Sequence, residues 1–192
     1  GFGRELKTWV SHHSDITKRA NFTGFLDDNV NALDSFSKFA PVYSLAKHQV
    51  SAENIYLCGL AIPQLKEKLI TPLVNAGAKF ETFIHPSSII GERVQLGSGC
   101  VICPHSVLTC DIKLGEFVTI NIGTTIGHDV QIGDWTTTSA QVDLTGGVKV
   151  GRGVFMGSRA SVIPQKNIGD YSIIAAGAVV FTSVPAQSTF AG

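Results

Sequence analysis

The chain has no surplus of charge of either sign: its 192 residues carry 15 Lys and Arg against 15 Asp and Glu. It has no basic run, which argues against nucleic acid or an anionic membrane as its main partner. No apolar run approaches the roughly 18 residues of a membrane span. No signal peptide is visible, and the sequence begins at Gly1. Cysteine is sparse: Cys58, Cys100, Cys103 and Cys110. Four thiols without a disulfide pattern lead us to expect a reducing cytoplasm. The lone C-x-x-C of Cys100 and Cys103 has no second pair and reads as packing of small thiols. Methionine is reduced to one residue, whereas glycine reaches 20, as in a turn-rich β protein.

A second chain-wide feature is a period. In a six-residue frame from His85, the sequence reads as 17 hexads over residues 85–186 without insertion, HPSSII to FTSVPA. The sixth position is aliphatic or Met in 15 of the 17, Thr138 and Ala186 being the exceptions. The fourth position is mostly small, and eight hexads open with Gly. A period of six is neither helical nor plain strand alternation. It describes a coil of three short faces, eighteen residues per turn, whose repeated aliphatics stack into a triangular core. Glycines fall at the corners, where the backbone takes angles a side chain disfavours.

Residues 1–84 follow a different pattern. The reading gives a helix opening at "GFGREL" (Gly1 to Leu6), strands over 20–29, 54–61 and 79–85, and a helix over 63–78 that Pro72 weakens. Alternating strands and helices suggest a parallel sheet with crossovers. "GFG" reads as the tail of a G-x-G-x-x-G turn whose first strand would precede Gly1. Asp27 and Asp28 follow at about the distance where an acid meets a nucleotide ribose. The segment is too short for two mononucleotide halves, so a single nucleotide suits it better than a dinucleotide.

The motifs "GFG", "GFLDD", "CGLA" and "NIGTTIGHD" and the hexads to "AAGAVV" together resemble one family. It is the hexapeptide-repeat sugar acetyltransferases that act on nucleotide-linked amino sugars, of bacillosamine and perosamine type, with a related sialic acid O-acetyltransferase branch. The resemblance spans nearly the whole chain. It implies a Rossmann-like α/β half domain (1–84) followed by a left-handed parallel β-helix (85–192). It also implies a homotrimer with sites between subunits, acetyl-CoA as co-substrate without a metal, and a cytoplasmic place in polysaccharide biosynthesis. Trp135 and Phe155 are candidate apolar contacts between subunits.

Residue by residue, the resemblance makes His128 the general base, Asp129 its acidic neighbour, and Asn121 a member of the same site. Substrate contacts fall on Gly1, Phe2, Gly3, Asp27, Asp28 and Gly59. Acetyl-CoA contacts fall on Thr137, Gly146, Ser158 and Ala176. Two departures stand out: Thr137 and Phe2 each occupy a position that carries His in some relatives. The spacing adds its own support, since Ala140, Ser158 and Ala176 differ by 18 and so stack on one face. Their small side chains would leave backbone N–H groups open to a pantetheine arm.

The chemistry explains a histidine here. Acetyl transfer from a thioester to an amine needs the amine neutral, and a base with a pKa near the working pH is best suited to take its proton. An amine is a good nucleophile, so no acyl-enzyme and no cysteine is required. Three other readings stand beside this one. A γ-class carbonic anhydrase would need one metal held by several histidines. His105 and His128, however, lie one coil plus five residues apart, about 16 Å along a strand, against metal–ligand bonds of about 2 Å. A non-catalytic coil would have no need of Gly-His-Asp. O-acetylation of a sugar hydroxyl would use the same base, and the sequence does not separate it from N-acetylation.

Overall fold

The structure, a computed structural model, describes residues 1–36 and 40–192. From Phe83 onward the chain winds as a parallel β-solenoid of the left-handed β-helix type. Two-residue strands recur every six residues. All but the last, Thr189–Phe190, pair in parallel with a strand eighteen residues away, as in Ile102↔Ile120↔Thr138. Three sheets result. Face one has seven strands, from Phe83–Ile84 to Thr189–Phe190; face two has six, from Ile89–Ile90; face three has five, from Gln95–Leu96.

The hexad pattern dictates this packing. Sixth-position Ile102, Leu108, Ile120, Ile126, Leu144, Met156, Val162, Ile174 and Val180 are fully buried in one continuous cluster. Burying each aliphatic side chain is worth about 1.5–3 kcal/mol. Thr138, an exception to the pattern, is buried too. Its hydroxyl donates to the Thr119 carbonyl at 3.4 Å and accepts from the Asn121 N–H at 3.2 Å. From Arg93 to Gly177 the third residue of each hexad turns the corner with φ near +60°, even where it is His105, Asp129 or Trp135. This left-handed backbone costs a non-glycine residue about 1 kcal/mol or more. Coil-to-coil hydrogen bonds hold it there, such as Asp129 N–H to the Cys110 carbonyl at 3.2 Å.

The uninterrupted frame ends one hexad early. Pairing keeps the eighteen-residue offset through Val162↔Val180, then contracts to sixteen in Ile168↔Val184 and Ile173↔Thr189. The last turn has lost two residues. Val184 therefore fills the core slot, and Ala186 lies exposed.

The N-terminal segment comprises α1 (Phe2–Val10), α2 (Ser14–Arg19), β1 (Phe25–Asp27), β2 (Val42–Ser44), β3 (Ile55–Tyr56), α3 (Pro63–Asn75) and β4 (Lys79–Phe80). Its strands form two parallel pairs, β1 with β2 and β3 with β4. The strands are shorter than the sequence reading gives, β2 is additional to it, and α3 passes through Pro72 without ending. The segment packs on face one and on the corner between faces three and one. One cluster joins Leu6 to Phe83, Val101 and Cys103; another joins Cys58 and Ile70 to Phe117 and Trp135. Trp135 stacks flat on Phe117 at 4.4 Å between centroids. It is therefore covered by its own chain and is not an outward contact for another subunit. Phe155 is half-buried on face one, paired with Thr137. Charged groups fasten α3 at the same corner: Arg152 donates to Glu67 at 2.7 Å, Asp134 at 2.9 Å and the Tyr171 hydroxyl at 3.1 Å.

Candidate active site

His128 occupies the corner between faces two and three, at the second position of its hexad. Gly127 opens the corner and Asp129 completes it with φ 62°. The imidazole Nδ1 lies 2.7 Å from Asp129 Oδ2, and both side chains are about two-thirds exposed. Because an ionised carboxylate can only accept, a neutral imidazole bonded this way carries its proton on Nδ1 and leaves Nε2 as the acceptor. Gly146, one coil below, provides the floor. A Cβ at that position would run into the imidazole ring, so only glycine leaves the ring where it lies.

Asn121 belongs to the next corner, between faces one and two, and the strand Thr125–Ile126 separates it from His128. Its side-chain oxygen accepts the Ile122 N–H at 2.8 Å. Below Asn121 on this corner, Ala140, Ser158 and Ala176 stack as the spacing predicts. The links are Arg159 N–H to the Ala140 carbonyl at 3.0 Å and Gly177 N–H to the Ser158 carbonyl at 2.9 Å. First, third and fifth positions carry this coil-to-coil ladder. Ser158 and Ala176 are exposed.

Thr137 lies elsewhere. It is 1% exposed on face one under α3, and its hydroxyl takes a 3.0 Å hydrogen bond from Lys66 Nζ. Thr137, Gly146 and the Ser158–Ala176 pair thus fall on three separate parts of the prism, and a single chain does not align them.

The six substrate residues do come together. Gly1, Phe2, Gly3, Asp27, Asp28 and Gly59 all line one cleft of about 620 Å³ in the N-terminal segment. Its walls are apolar, from Phe25, Leu33, Tyr56, Leu65 and Leu69, and Arg4 adds the one cationic side chain among the described lining residues. The first turn of α1 starts at this cleft, so its unpaired N–H groups and the positive end of the helix favour an anion there. Gly59 meets a packing demand as well: a Cβ on it would come within 2.9 Å of the Gly3 Cα. Asp27 Oδ1 accepts the Asn29 N–H at 2.9 Å, which shapes the loop, and Asp28 is exposed. Sequence reasoning did not single out Arg4. Its place directly after "GFG" was the available signal.

The thiols stand apart from this chemistry. Burial pushes Cys100 up to about 11 and Cys103 higher still, which keeps both protonated. No group of three or more His, Cys, Asp or Glu among the described residues is placed to hold a metal. No described helix is long and apolar enough to cross a membrane.

No family model matches the chain. Solved structures do. WeeI from Acinetobacter baumannii AYE is 28% identical with a TM-score of 0.87, over all of this chain and 92% of that one. PerB from Caulobacter crescentus, in complex with CoA and GDP-perosamine, is 29% identical with a TM-score of 0.67, over 71% and 66%. The acetyltransferase domain of PglB from Neisseria gonorrhoeae FA1090 shares the fold, with a TM-score of 0.86 at 21% identity over 96% and 91%. Across both its α/β segment and its coils, this chain is built as the hexapeptide-repeat sugar acetyltransferases are.

Proposed function

We propose that the protein is an acyltransferase that moves the acetyl group of acetyl-CoA to the amino group of a nucleotide-linked amino sugar. The observation that carries this reading is the His128–Asp129 pair: an imidazole with Nδ1 occupied and Nε2 free, held over a glycine at a rigid, exposed corner. The cleft with Asp27 and Asp28 suits the nucleotide, and PerB, similar over most of this chain, was solved with CoA and GDP-perosamine. In the reaction the amine attacks the thioester carbonyl, His128 Nε2 takes the amine proton as the C–N bond forms, and CoA departs with its sulfur. Asp129 fixes the tautomer and stabilises the imidazolium that results.

The reading includes a homotrimer. The cleft lies on the face-one side and His128 at the opposite corner, while Gly146 and the Ser158–Ala176 stack occupy different corners. A corner of one chain facing the next corner of a second chain would unite them. Exposed Ile89 and Val179 on face two supply apolar surface for that contact. Light scattering at micromolar protein should give three times the chain mass; a monomer alone would contradict the shared site.

The function is tested by offering acetyl-CoA with a panel of nucleotide-linked amino sugars and free sialic acid, following thiol release and product mass. The expected product is an acetamide on a nucleotide-linked sugar. An acetyl ester on sialic acid, or no turnover with any acceptor, overturns the reading. Asp28→Ala should raise KM for the sugar nucleotide about tenfold or more, the worth of a charge-assisted hydrogen bond, and leave KM for acetyl-CoA unchanged. Asp27→Ala should do the same while also freeing the Asn29 N–H. An equal rise for both substrates would remove these acids from the nucleotide site.

A further inference from the structure

Above His128 the same corner carries an ion pair that the proposed reaction does not use. Arg93, Asp111 and Asp129 hold the third position in three successive hexads of this corner, each with φ between 55° and 62°. They form a column with one rung per coil, about 4.7 Å apart. Arg93 grips Asp111 with two bonds, Nε to Oδ1 at 2.6 Å and Nη2 to Oδ2 at 2.9 Å, and its Nη1 reaches Glu92 at 3.0 Å. Asp129, the next rung down, is bonded to His128.

We infer that Arg93 is a positioning residue for the base: by claiming both oxygens of Asp111 it holds that carboxylate off His128 and leaves the imidazole a single carboxylate partner, Asp129. The inference rests on the reading of His128 as the base. Without a cation on the upper rung, two carboxylates would stand one coil apart beside one imidazole. Each would oppose ionisation of the other, and both would favour the imidazolium. A base that must be neutral to accept a proton would then spend more of its time already protonated. Among the described residues, the adjoining coils supply no other cation at this corner; Lys113 and Lys149 stand on strands of face three, Lys166 lies two coils below, and Asp143 on face two is bonded by Thr125. The coil above offers Cys110 and Asp111, with Glu92 beyond them; its own coil offers Asp129; the coil below offers Gly146 and Gly147, which do not titrate.

The test is a charge cycle read in two ways. Arg93→Gln should move the acidic limb of the kcat/KM profile up by about 0.3 pH unit at low salt, the size of one exposed unit charge two coils, roughly 9 Å, away. Asp111→Asn should move it down, because Arg93 is then unbalanced. The double variant should return it close to wild type, and Arg93→Lys should preserve it. Added salt should shrink every shift. The His128 ring titration, followed by NMR, should show the same signs without any turnover. That second reading separates failure of this inference from failure of the acetyl-transfer reading, which His128→Ala tests. If Arg93→Gln leaves both the limb and the titration in place, or if both single variants shift them in one direction, the positioning role is wrong.

Discussion

Replacing His128 by alanine should lower kcat by roughly 10² to 10⁴, the usual contribution of a general base, and leave KM for acetyl-CoA nearly unchanged. The imidazole acts on the acceptor amine and does not hold the thioester, so the loss should appear in kcat. It should shrink as pH rises, because an amine that is already neutral needs less help. Asp129→Asn should cost less: the imidazole keeps its floor on Gly146 and loses only the carboxylate charge beside Nδ1. Its acidic limb should move down, since imidazolium is no longer stabilised by an anion. Rate measurements across pH for the two variants check both statements. Wild-type kcat in His128→Ala at neutral pH would reduce His128 to a surface histidine and end the mechanism.

The site was legible where the repeat alone places it. A strict eighteen-residue offset puts Gly146 under His128 and stacks Ala140, Ser158 and Ala176, whatever the rest of the chain does. The interior was equally legible, because the sixth position can only hold what a narrow triangular core accepts. A hexad pattern carries no information about which outward position another part of the chain will cover. Thr137 and Trp135 sit at fifth and third positions that look like many others, yet α3 and β3–β4 lie over them. The same blindness hides the contraction after Val180, where "FTSVPA" keeps a hexad's length while the coil drops two residues. The bidentate Arg93–Asp111 pair, in contrast, is an i, i+18 relation and can be read directly from the period once the coil is known. The cleft depended on the resemblance. "GFG", the two acids and Gly59 are each weak alone and are joined only when the N-terminal segment folds.

Lys66 is the residue the sequence concealed most fully, and its removal should show how the two parts of the chain are held together. On α3 it lies beside Leu65, which lines the cleft, in a stretch where a lysine reads as solvated surface. In the structure it is fully buried. Its Nζ donates to Thr119 Oγ1 at 3.1 Å, to Thr137 Oγ1 at 3.0 Å and, at 3.5 Å, to the Thr136 carbonyl, with no carboxylate among these partners. Burial first, only partly offset by the nearby Cys58 and Cys100 thiols, lowers its pKa from the ordinary 10.5 to about 8. The sign of the effect follows from proton counts. Between about 8 and 10.5 the folded lysine binds fewer protons than the unfolded one, so stability should rise with pH across that window. Below it both states are charged, and the folded state carries the whole penalty of burial, on the order of 3 kcal/mol. Lys66→Met fills the same volume without the charge. It should match or exceed wild-type stability at pH 7 and abolish the rise between pH 8 and 10.5. Lys66→Ala removes the charge but opens a cavity under α3, and should fall below Lys66→Met by about 2–4 kcal/mol at either pH. Denaturant unfolding at pH 7 and pH 10 measures all three. A wild-type stability no higher at pH 10 than that of Lys66→Met predicts, relative to pH 7, would mean that Lys66 keeps its ordinary proton affinity and is wetter than its burial under α3 implies.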